Sequence, residues 1–445
     1  MSNYPERLIH FASQLPSPLY AVGGCVRDSL LGKQSHDIDL CSAITPETMQ
    51  TLAKEHGFPC PLVNQRLGTV LLCIDGIKYE HTTFRTESYP SGGNHSPETI
   101  SFTESLELDA RRRDFSINAI YQNVVTGQYE DPCSGLEDLK NHLIRTTTED
   151  PSLILKDDGL RILRLVRFAV STGFDVDPST FSAAKEHANL LKDIAWERKR
   201  EELERILLLK DVVRALEMLT ELKALFLLIP ELSACDGLPQ RTDYHRHDVL
   251  RHLFHTCERA PFSMELRLMG LLHDIGKPAA LERDGNYYRH PEIGASISDT
   301  VLKRLVYPNA VIRRVHTAIL WHMFDLDENA REDTVKKRFV SIGKQGVEDL
   351  ILLREADVNG SGIRADYRAD KWRKIYADML EKGCPWSSDD LALTGRELMD
   401  ALGLPPSPEV AKLKEKLLFH CVCHPGDNRP DKLLRIARDI CVKKA

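Results

Sequence analysis

Along the first 145 residues, short apolar and β-branched runs alternate with segments of helical period. "LGTVLLCID" (67–75) and "IKYEHTTF" (77–84) read as two strands, and Asp75-Gly76 between them is a turn signal. From about residue 150 the pattern becomes helical. In "DDGLRILRLVRFAVSTGF" (157–174), Leu160, Leu163, Val166 and Val170 share one helical face, and Gly173 stands where a C-terminal cap is expected. "ERKREELERILLLK" (197–210) and "VVRALEMLTELKALFLL" (212–228) predict further amphipathic helices. Polar seams fall at "LPQRTDYHRHD" near 238 and "EKGCPWSSDD" near 384. The pattern predicts an α+β protein, a small α/β head followed by a long helical body.

Composition narrows this picture only slightly. A chain of 445 residues is too long for one core, so two to four domains are expected. No apolar run is long enough to span a bilayer, and "MSNYPERLIHFASQ" lacks the apolar stretch of a signal peptide. A cytoplasmic protein without membrane contact is the expectation. The eleven cysteines follow no framework spacing and read as reduced thiols. A net charge of -7 argues against a uniformly nucleic-acid-binding surface but leaves room for local basic grooves. Nothing in the sequence calls for an obligate protein partner.

The stretch "YAVGGCVRDSLLGKQSHDIDLCSA" (Tyr20 to Ala43) carries the first candidate chemistry. Asp37 and Asp39 are two apart, and in a strand they would share a face. Carboxylates that close repel one another, and a divalent cation relieves the repulsion. Mg2+ favours carboxylate oxygens and keeps positions for substrate phosphates. Upstream, Gly23-Gly24 lets backbone approach a phosphate chain, and Arg27 can neutralise it. A D-x-D alone is more often a solvated turn. Joined to G-G-x-V-R-D, it fits two-metal nucleotidyl transfer, in which one metal activates a 3′ hydroxyl and the other holds a triphosphate.

"GGCVRD…DIDL" resembles the signature of class II tRNA nucleotidyltransferases, the CCA-adding enzymes and their bacterial poly(A) polymerase relatives. The likeness continues in order through "RRRDFSINAI" (111–120), "EDPCSGLEDLKNHLIRT" (130–146), "DDGLRILRLVRF" (157–168) and "ERKREEL" (197–203). The resemblance implies a polymerase-β-like nucleotidyltransferase head over 1–145 and a helical neck binding RNA and nucleotide over 146–235. It also implies template-independent, Mg2+-dependent addition of the tRNA 3′-CCA end from CTP and ATP. Glu80 is the candidate third carboxylate, on a neighbouring strand. Arg112 and Arg113 suit a triphosphate, because a guanidinium is always charged and bonds as a fork. Asp114 belongs to the same segment, and Asn118 is implied at ribose or phosphate. A-adding, CC-adding and poly(A)-adding enzymes share these motifs, and all three stay open. So does an RNA-binding protein with a vestigial head.

Asp158 and Arg161 are three apart on the predicted helix, hence on one face. Cytosine and adenine both present an amine donor beside a ring-nitrogen acceptor, whereas guanine and uracil present the reverse. An Asp/Arg pair therefore accepts C and A and leaves buried groups unpaired against G and U. On spacing alone this is an ordinary ion pair; the resemblance implies a protein template for the incoming base. The family pattern is Glu-Asp-x-x-Arg, and here Asp157 replaces the glutamate. Arg164 and Arg167, further along this motif, are read with it as nucleotide-binding. "TESYPSGGNHSPETISF" (86–102) reads as a mobile loop. The resemblance implies that it helps the switch from C to A, although "GGNHSP" is less basic than the family pattern.

A second constellation lies downstream. His252, then His273-Asp274 in "LLHDIGKP", then Asp357 in "READVNG", form a His…His-Asp…Asp set able to hold a divalent transition metal or Mg2+. Adjacent His and Asp suit an aspartate bridging two metals. The set resembles the HD phosphohydrolase domain, placed at 238–365 and followed by a helical tail over 366–445. The metal expected there is Mn, Ni or Mg. His290 and His322 are candidate extra ligands, and His316 reads as an ordinary helix residue. The domain either hydrolyses a phosphoester, such as a 2′,3′-cyclic phosphate on an RNA end, or serves as a structural body holding tRNA. "HCVCH" (420–424) has zinc-ligand residue types, but residues so closely spaced do not easily surround one tetrahedral ion.

Overall fold

One mixed sheet gathers the glycine turn and the acidic residues. The computed structural model describes residues 4–34, 37–89 and 97–442. These fall into two compact units, 1–230 and 231–445.

The first unit begins with a seven-stranded sheet. Its strands are β1 (Tyr20–Val22), β2 (Asp39–Ser42), β3 (Leu62–Asn64), β4 (Thr69–Ile74), β5 (Ile77–Thr83), β8 (Tyr121–Asn123) and β9 (Tyr129–Glu130), in the order β3-β4-β5-β2-β1-β8-β9. All pairs are antiparallel except β2 with β5. The β4–β5 hairpin closes at Ile74↔Ile77 through Asp75 and Gly76, whose φ values of 52° and 78° make the left-handed turn that matches strand twist. Ala21, Val22, Leu40 and Cys41 are buried on the central strands. Helices α1 (Glu6–Ser13), α2 (Gly24–Leu30), α3 (Pro46–Glu55), α4 (Leu106–Arg111) and α5 (Gly135–Lys140) accompany the sheet. Thr45 caps α3 by accepting from Thr48 N–H, with Pro46 in its first turn.

The segment 86–102, expected to be a loop, has an ordered stem. β6 (Arg85–Ser88) pairs antiparallel with β7 (Thr99–Phe102), from Arg85↔Phe102 to Ser88↔Thr99. The β-branched residues Thr86, Thr99 and Ile100 suit such a ladder. Most of "GGNHSP" lies outside the described residues.

Helices α6 (Pro151–Asp157), α7 (Leu160–Thr172), α8 (Pro178–Glu186), α9 (Trp196–Leu207), α10 (Val212–Glu221) and α11 (Ala224–Leu228) complete the unit. Gly173 caps α7 at φ 78°, as its position in the sequence suggested. α7 buries more than the one predicted face, since Ile162, Leu165, Phe168 and Ala169 are also buried. It packs against α6, α9 and α10, so it is a central helix. The predicted helix over 212–228 is broken: Lys223 takes φ 60°, and the chain turns there between α10 and α11 so that Ala224, Leu225 and Leu228 are all buried.

The second unit is helical: α12 (Val249–Arg259), α13 (Met264–Leu272), α14 (Lys277–Asp284), α15 (His290–Arg304), α16 (Asn309–Trp321), α17 (Glu332–Ile342), α18 (Lys344–Gly360), α19 (Asp370–Glu381), α20 (Gly395–Leu402), α21 (Pro408–Cys423) and α22 (Pro430–Val442). α12, α13, α16 and α18 pack together. A hydrophobic core then runs from Val335 and Phe339 through Trp372 to Leu417 and Leu433. Cys384 belongs to that core, so the polar seam read near 384 does not separate two cores. Among the described residues no helix is long and apolar enough to cross a membrane.

Candidate active site and metal centre

β1 ends at Val22, Gly23 turns at φ 83° as the residue before α2, and the helix starts at Gly24. A side chain at Gly23 would meet Asp39 Oδ2 at 3.8 Å, so bare backbone faces the carboxylate. Asp39 opens β2, opposite Val22 on one side and Glu80 of β5 on the other. Burial raises the Asp39 pKa, and the Glu80 and Asp37 carboxylates raise it further against Arg113. Asp37 does not share the strand, contrary to the sequence expectation; it lies two residues before it. The ladder stops at Asp39 because its β1 partner, Val22, is followed by the glycine turn. The same-face argument therefore does not apply, although the two charges still act on each other. This all-oxygen donor set suits Mg2+. Among the described residues the three carboxylates are spaced more widely than the ligand clusters of the second unit.

The predicted arginines are already engaged. Arg27, buried, donates through Nη1 to Asn118 Oδ1 (2.7 Å) and through Nε to Asp28 (2.9 Å). Asn118 donates to Asp114 Oδ1 (3.1 Å), and Arg164 places Nε and Nη2 on Asp114 Oδ2 at 2.8 and 2.5 Å. Arg167 bonds Glu202 at 2.7 Å. The guanidinium carbons of Arg27, Arg164 and Arg167 lie 5.1, 5.2 and 4.2 Å from the centre of the Phe168 ring, within cation–π range. Arg112 and Arg113 both clamp buried Asp109, at 2.7 and 3.0 Å, and Tyr121 donates to the same carboxylate at 2.8 Å. Burial alone would raise the Asp109 pKa, but Arg113 and Arg112 bring it down to about 2. The two arginines therefore also have a structural task.

The Asp158/Arg161 expectation needs correction. Asp158 is not helical: it follows α6 at φ −148°, ψ 103°, before Gly159 leads into α7. Its Oδ1 accepts from Leu160 N–H (3.0 Å) and its Oδ2 from Arg198 Nη2 (2.8 Å). Arg161 is buried and donates to the carbonyls of Ile154 (2.8 Å) and Arg112 (2.7 Å). A carboxylate just ahead of a helix is drawn to that helix's free N–H groups, which fixes Asp158 apart from the α7 face carrying Arg161.

In the second unit, Asp274 divides two groups of ligands. Its Oδ2 lies 3.5 and 3.3 Å from His252 Nε2 and His273 Nε2, and Asp357 Oδ1 lies 3.0 and 3.5 Å from the same nitrogens. Its Oδ1 lies 3.0 Å from His290 Nε2 and 3.5 Å from His322 Nε2. His252, His273 and Asp357 form one candidate metal group, and Asp274, His290 and His322 the other. His273, His290 and His322 each donate Nδ1–H to a backbone carbonyl, of Gly270, Tyr287 and Ile319. In the neutral ring this leaves the Nε2 lone pair facing the centre. His290 and His322 direct these nitrogens at each other across 3.1 Å, an arrangement that a cation would satisfy. Burial lowers the His273 pKa, but Asp274 and Asp357 outweigh it and push it up to about 10, as expected of a strongly negative centre. Imidazole with carboxylate suits a divalent transition metal. His316, read as an ordinary helix residue, pairs with Asp299 at 3.1 Å.

Sequence comparison matches the Poly A polymerase head domain over residues 19–145, the "Probable RNA and SrmB- binding site of polymerase A" over 173–235 and the HD domain over 242–343. The chain is 40% identical over 421 residues to a CCA-adding enzyme of Limosilactobacillus reuteri, covering 95% of this chain and 92% of that one. The chain belongs to the tRNA nucleotidyltransferase family. It is also 30% identical over 416 residues to an A-adding tRNA nucleotidyltransferase of Deinococcus radiodurans, covering 89% of each. The fold matches the Bacillus stearothermophilus CCA-adding enzyme in complex with CTP (TM-score 0.73, 24% identity, 98% and 97% of the two chains). It also matches the Thermotoga maritima CCA-adding enzyme complexed with tRNA (TM-score 0.61, 20% identity, 98% and 94% covered). This family member is a nucleotidyltransferase with an HD domain.

Sequence reasoning missed Asp109, Phe168, Arg198 and Glu202. Asp109 had a readable signal, since it lies three and four residues before Arg112 and Arg113. Arg198 stands in the "ERKREEL" motif, but its partner, 40 positions away, had no signal in the sequence.

Proposed function

We propose that the head, residues 1–145, completes or repairs the 3′-CCA end of tRNA from CTP and ATP without a nucleic-acid template. The observation that carries this reading is Asp39 paired across the sheet with Glu80 and facing the Gly23 turn. Asp37 and Asp39 would hold Mg2+, which when bound would supply charge neutralisation at the reacting phosphate and lower the pKa of the attacking hydroxyl. Glu80 orients the cluster. The tRNA 3′ hydroxyl loses its proton to solvent, its oxygen bonds to the α-phosphorus, and the α–β phosphoanhydride bond breaks as pyrophosphate leaves. The open backbone of Gly23 and Gly24 meets the triphosphate, and Arg27, Arg113 and Arg164 offset its charge. Asp114, Asn118, Arg112 and Arg167 hold these groups in place. Asp158 and Arg161 read the base, with Arg161 exchanging a carbonyl for the ring nitrogen on nucleotide binding. The neck, 146–235, carries nucleotide and RNA, and the protein works in the cytoplasm without an obligate protein partner.

The test is to incubate tRNA transcripts ending before, within and after CC with each nucleotide singly and together. Addition of C, C and A in order supports the proposal. Addition of A alone, as the name of the Deinococcus radiodurans relative describes, would replace it with A-adding activity. CC alone or a run of A would assign the CC-adding or poly(A)-adding alternative.

The HD domain, 238–365, supports a second activity, hydrolysis of a phosphoester such as an RNA-end cyclic phosphate. Two ligand groups with Asp274 oxygens within 3.5 Å of the histidines of each favour it, as does the imidazole-rich donor set, which suits Mn or Ni better than Mg. The tail, 366–445, follows it. Turnover of cyclic phosphate nucleotides with Mn2+ or Ni2+, lost in Asp274→Ala, is the expected result; folded protein inactive with every metal would leave the domain a structural body.

A further inference from the structure

The backbone fixes three of the four imidazoles at the HD centre. His273, His290 and His322 give Nδ1–H to the carbonyls of Gly270, Tyr287 and Ile319 at 3.0, 2.6 and 2.6 Å. His252, wholly buried on α12, differs: its Nδ1 meets no hydrogen-bond partner among the described residues. Its Nε2 lies 3.0 Å from Asp357 Oδ1. A neutral imidazole carries one hydrogen. With that hydrogen on Nε2, the ring donates to Asp357 and turns a proton, not a lone pair, toward the metal position. With it on Nδ1, the lone pair faces the metal position, but a buried N–H is left unpaired at a cost. Beside His252 stands His245, whose ring centre is 4.5 Å away at an interplanar angle of 67°. The His245 Nδ1 is also buried without a partner among the described residues. The other ring against His252, that of His273, already commits its Nδ1 to Gly270. His245 is carried on the loop 238–248, which is tied down on both sides. Tyr287 donates to the Pro239 carbonyl (2.8 Å), Lys277 to the Gln240 side chain (2.6 Å) and Arg246 N–H to the Ser361 carbonyl (2.9 Å).

We infer that His245 is the positioning residue of the His252 ligand: its ring nitrogen accepts the hydrogen of His252 Nδ1 and so turns the His252 Nε2 lone pair to the metal. The inference rests on the reading of His252, His273 and Asp357 as one metal group. Rings this close bring facing nitrogens within hydrogen-bond range when either ring turns about its bond to the chain. His245 thereby does for His252 what backbone carbonyls do for the other three imidazoles. A side-chain acceptor on a loop is less rigid than a backbone carbonyl, so the two metal groups are unequal. The group of Asp274, His290 and His322, with both imidazoles fixed by backbone, holds its ion more tightly. The competing account is that His245 merely fills space against His252. That role needs a ring but no acceptor.

The test loads the full-length protein with Ni2+, dialyses it against a graded series of a weak chelator and counts the retained ions by plasma mass spectrometry. The parent is compared with His245→Ala, His245→Asn and His245→Phe. The parent is expected to release two ions in two separate steps. In His245→Ala the weaker ion should leave at about tenfold lower chelator, the low end for losing a group that orients a metal ligand, while the tighter ion is unchanged. His245→Asn, whose amide oxygen stands near the place of the lost Nδ1, should recover part of the loss. His245→Phe keeps a ring without an acceptor and should behave as His245→Ala. Identical release from the parent and His245→Ala would overturn the inference, as would a His245→Phe that matches the parent. A parent that retains fewer than two ions would instead overturn the two-group reading on which the inference rests. Should His245→Ala fail to fold, the other two variants decide, and equal retention by His245→Asn and His245→Phe would overturn the inference.

Discussion

Arg27 Nη1 donates to Asn118 Oδ1 at 2.7 Å in the interior of the head, joining residues 91 positions apart. Asn118 continues to Asp114, and Asp114 to Arg164. Side chains from the first, second and fourth family motifs thus form one hydrogen-bonded row beside the glycine turn.

Removing the centre of that row should therefore cost stability. Asp114→Ala leaves Asn118 and Arg164 without their shared acceptor and frees Asn118, which Arg27 bonds. We expect a loss of about 3 kcal/mol, the low end for a broken buried pair because the Arg164 side chain is about one-third exposed. Urea denaturation of the variant against the parent at pH 7 measures it.

Asp109 and Asp114 both have pKa values near 2. At Asp109, Arg113 and Arg112 overcome burial; at Asp114, Arg164 and the Asn118 hydrogen bond do. Both values lie below the ordinary aspartate value of 3.8, so the folded state binds these protons less readily than the unfolded chain. The associated stability is complete above pH 4 and is lost as pH falls through about 2. Denaturation midpoints followed from pH 6 to pH 2 should fall less steeply in Asp109→Asn and Asp114→Asn than in the parent protein.

Asp39→Ala should reduce nucleotide addition by about a thousandfold, since it removes a proposed ligand of the Mg2+ that would offset charge at the reacting phosphate. The metal content of the HD centre should stay that of the parent, because its ligands all lie in the other unit. Radiolabelled CTP incorporation and elemental analysis on the same preparation check both halves.

The HD centre should take up metal in two steps. Protein reconstituted with Mn2+ or Ni2+ and freed of excess is expected to hold two ions per chain, one for each ligand group. His290→Ala and His322→Ala should each hold one. Asp274→Ala should hold at most one, weakly, because it contributes an oxygen to each group. Plasma mass spectrometry of the purified variants gives the count.

Gly276 lies against the start of α15. A Cβ there would overlap the His290 carbonyl oxygen and come within 2.5 Å of Gly294 N, backbone atoms that cannot swing aside. Gly276→Ala should lose about 1–3 kcal/mol, as overpacking does. It should also weaken uptake of the second metal, because His290 is carried on the displaced backbone. Thermal unfolding and metal content together test this.

Local patterns are legible in the order of the residues alone. Gly173 ends α7 because only a residue free of Cβ strain turns there cheaply, and Asp75-Gly76 closes the β4–β5 hairpin because aspartate tolerates and glycine freely adopts positive φ. The candidate HD ligands, His290 and His322 included, can be named because their residue types carry the chemistry. Placement is less legible. Asp37 looks like a strand residue by spacing, yet the ladder ends at Asp39 because its partner strand turns away at Gly23. The 86–102 segment looks like a loop by composition, yet its ends pair as β6 and β7.

The amino-acid sequence by itself determined which residues have helical or strand period, where glycine must turn the chain, and which donor types lie in each half. Those properties depend on neighbours a few positions away. Tertiary structure alone decided that Glu80 pairs with Asp39, that Asp158 bonds Arg198, and that Asp274 turns one oxygen to each of two histidine pairs. These pairings join residues from separate elements. They are set by how buried surfaces close over one another, which no local spacing encodes.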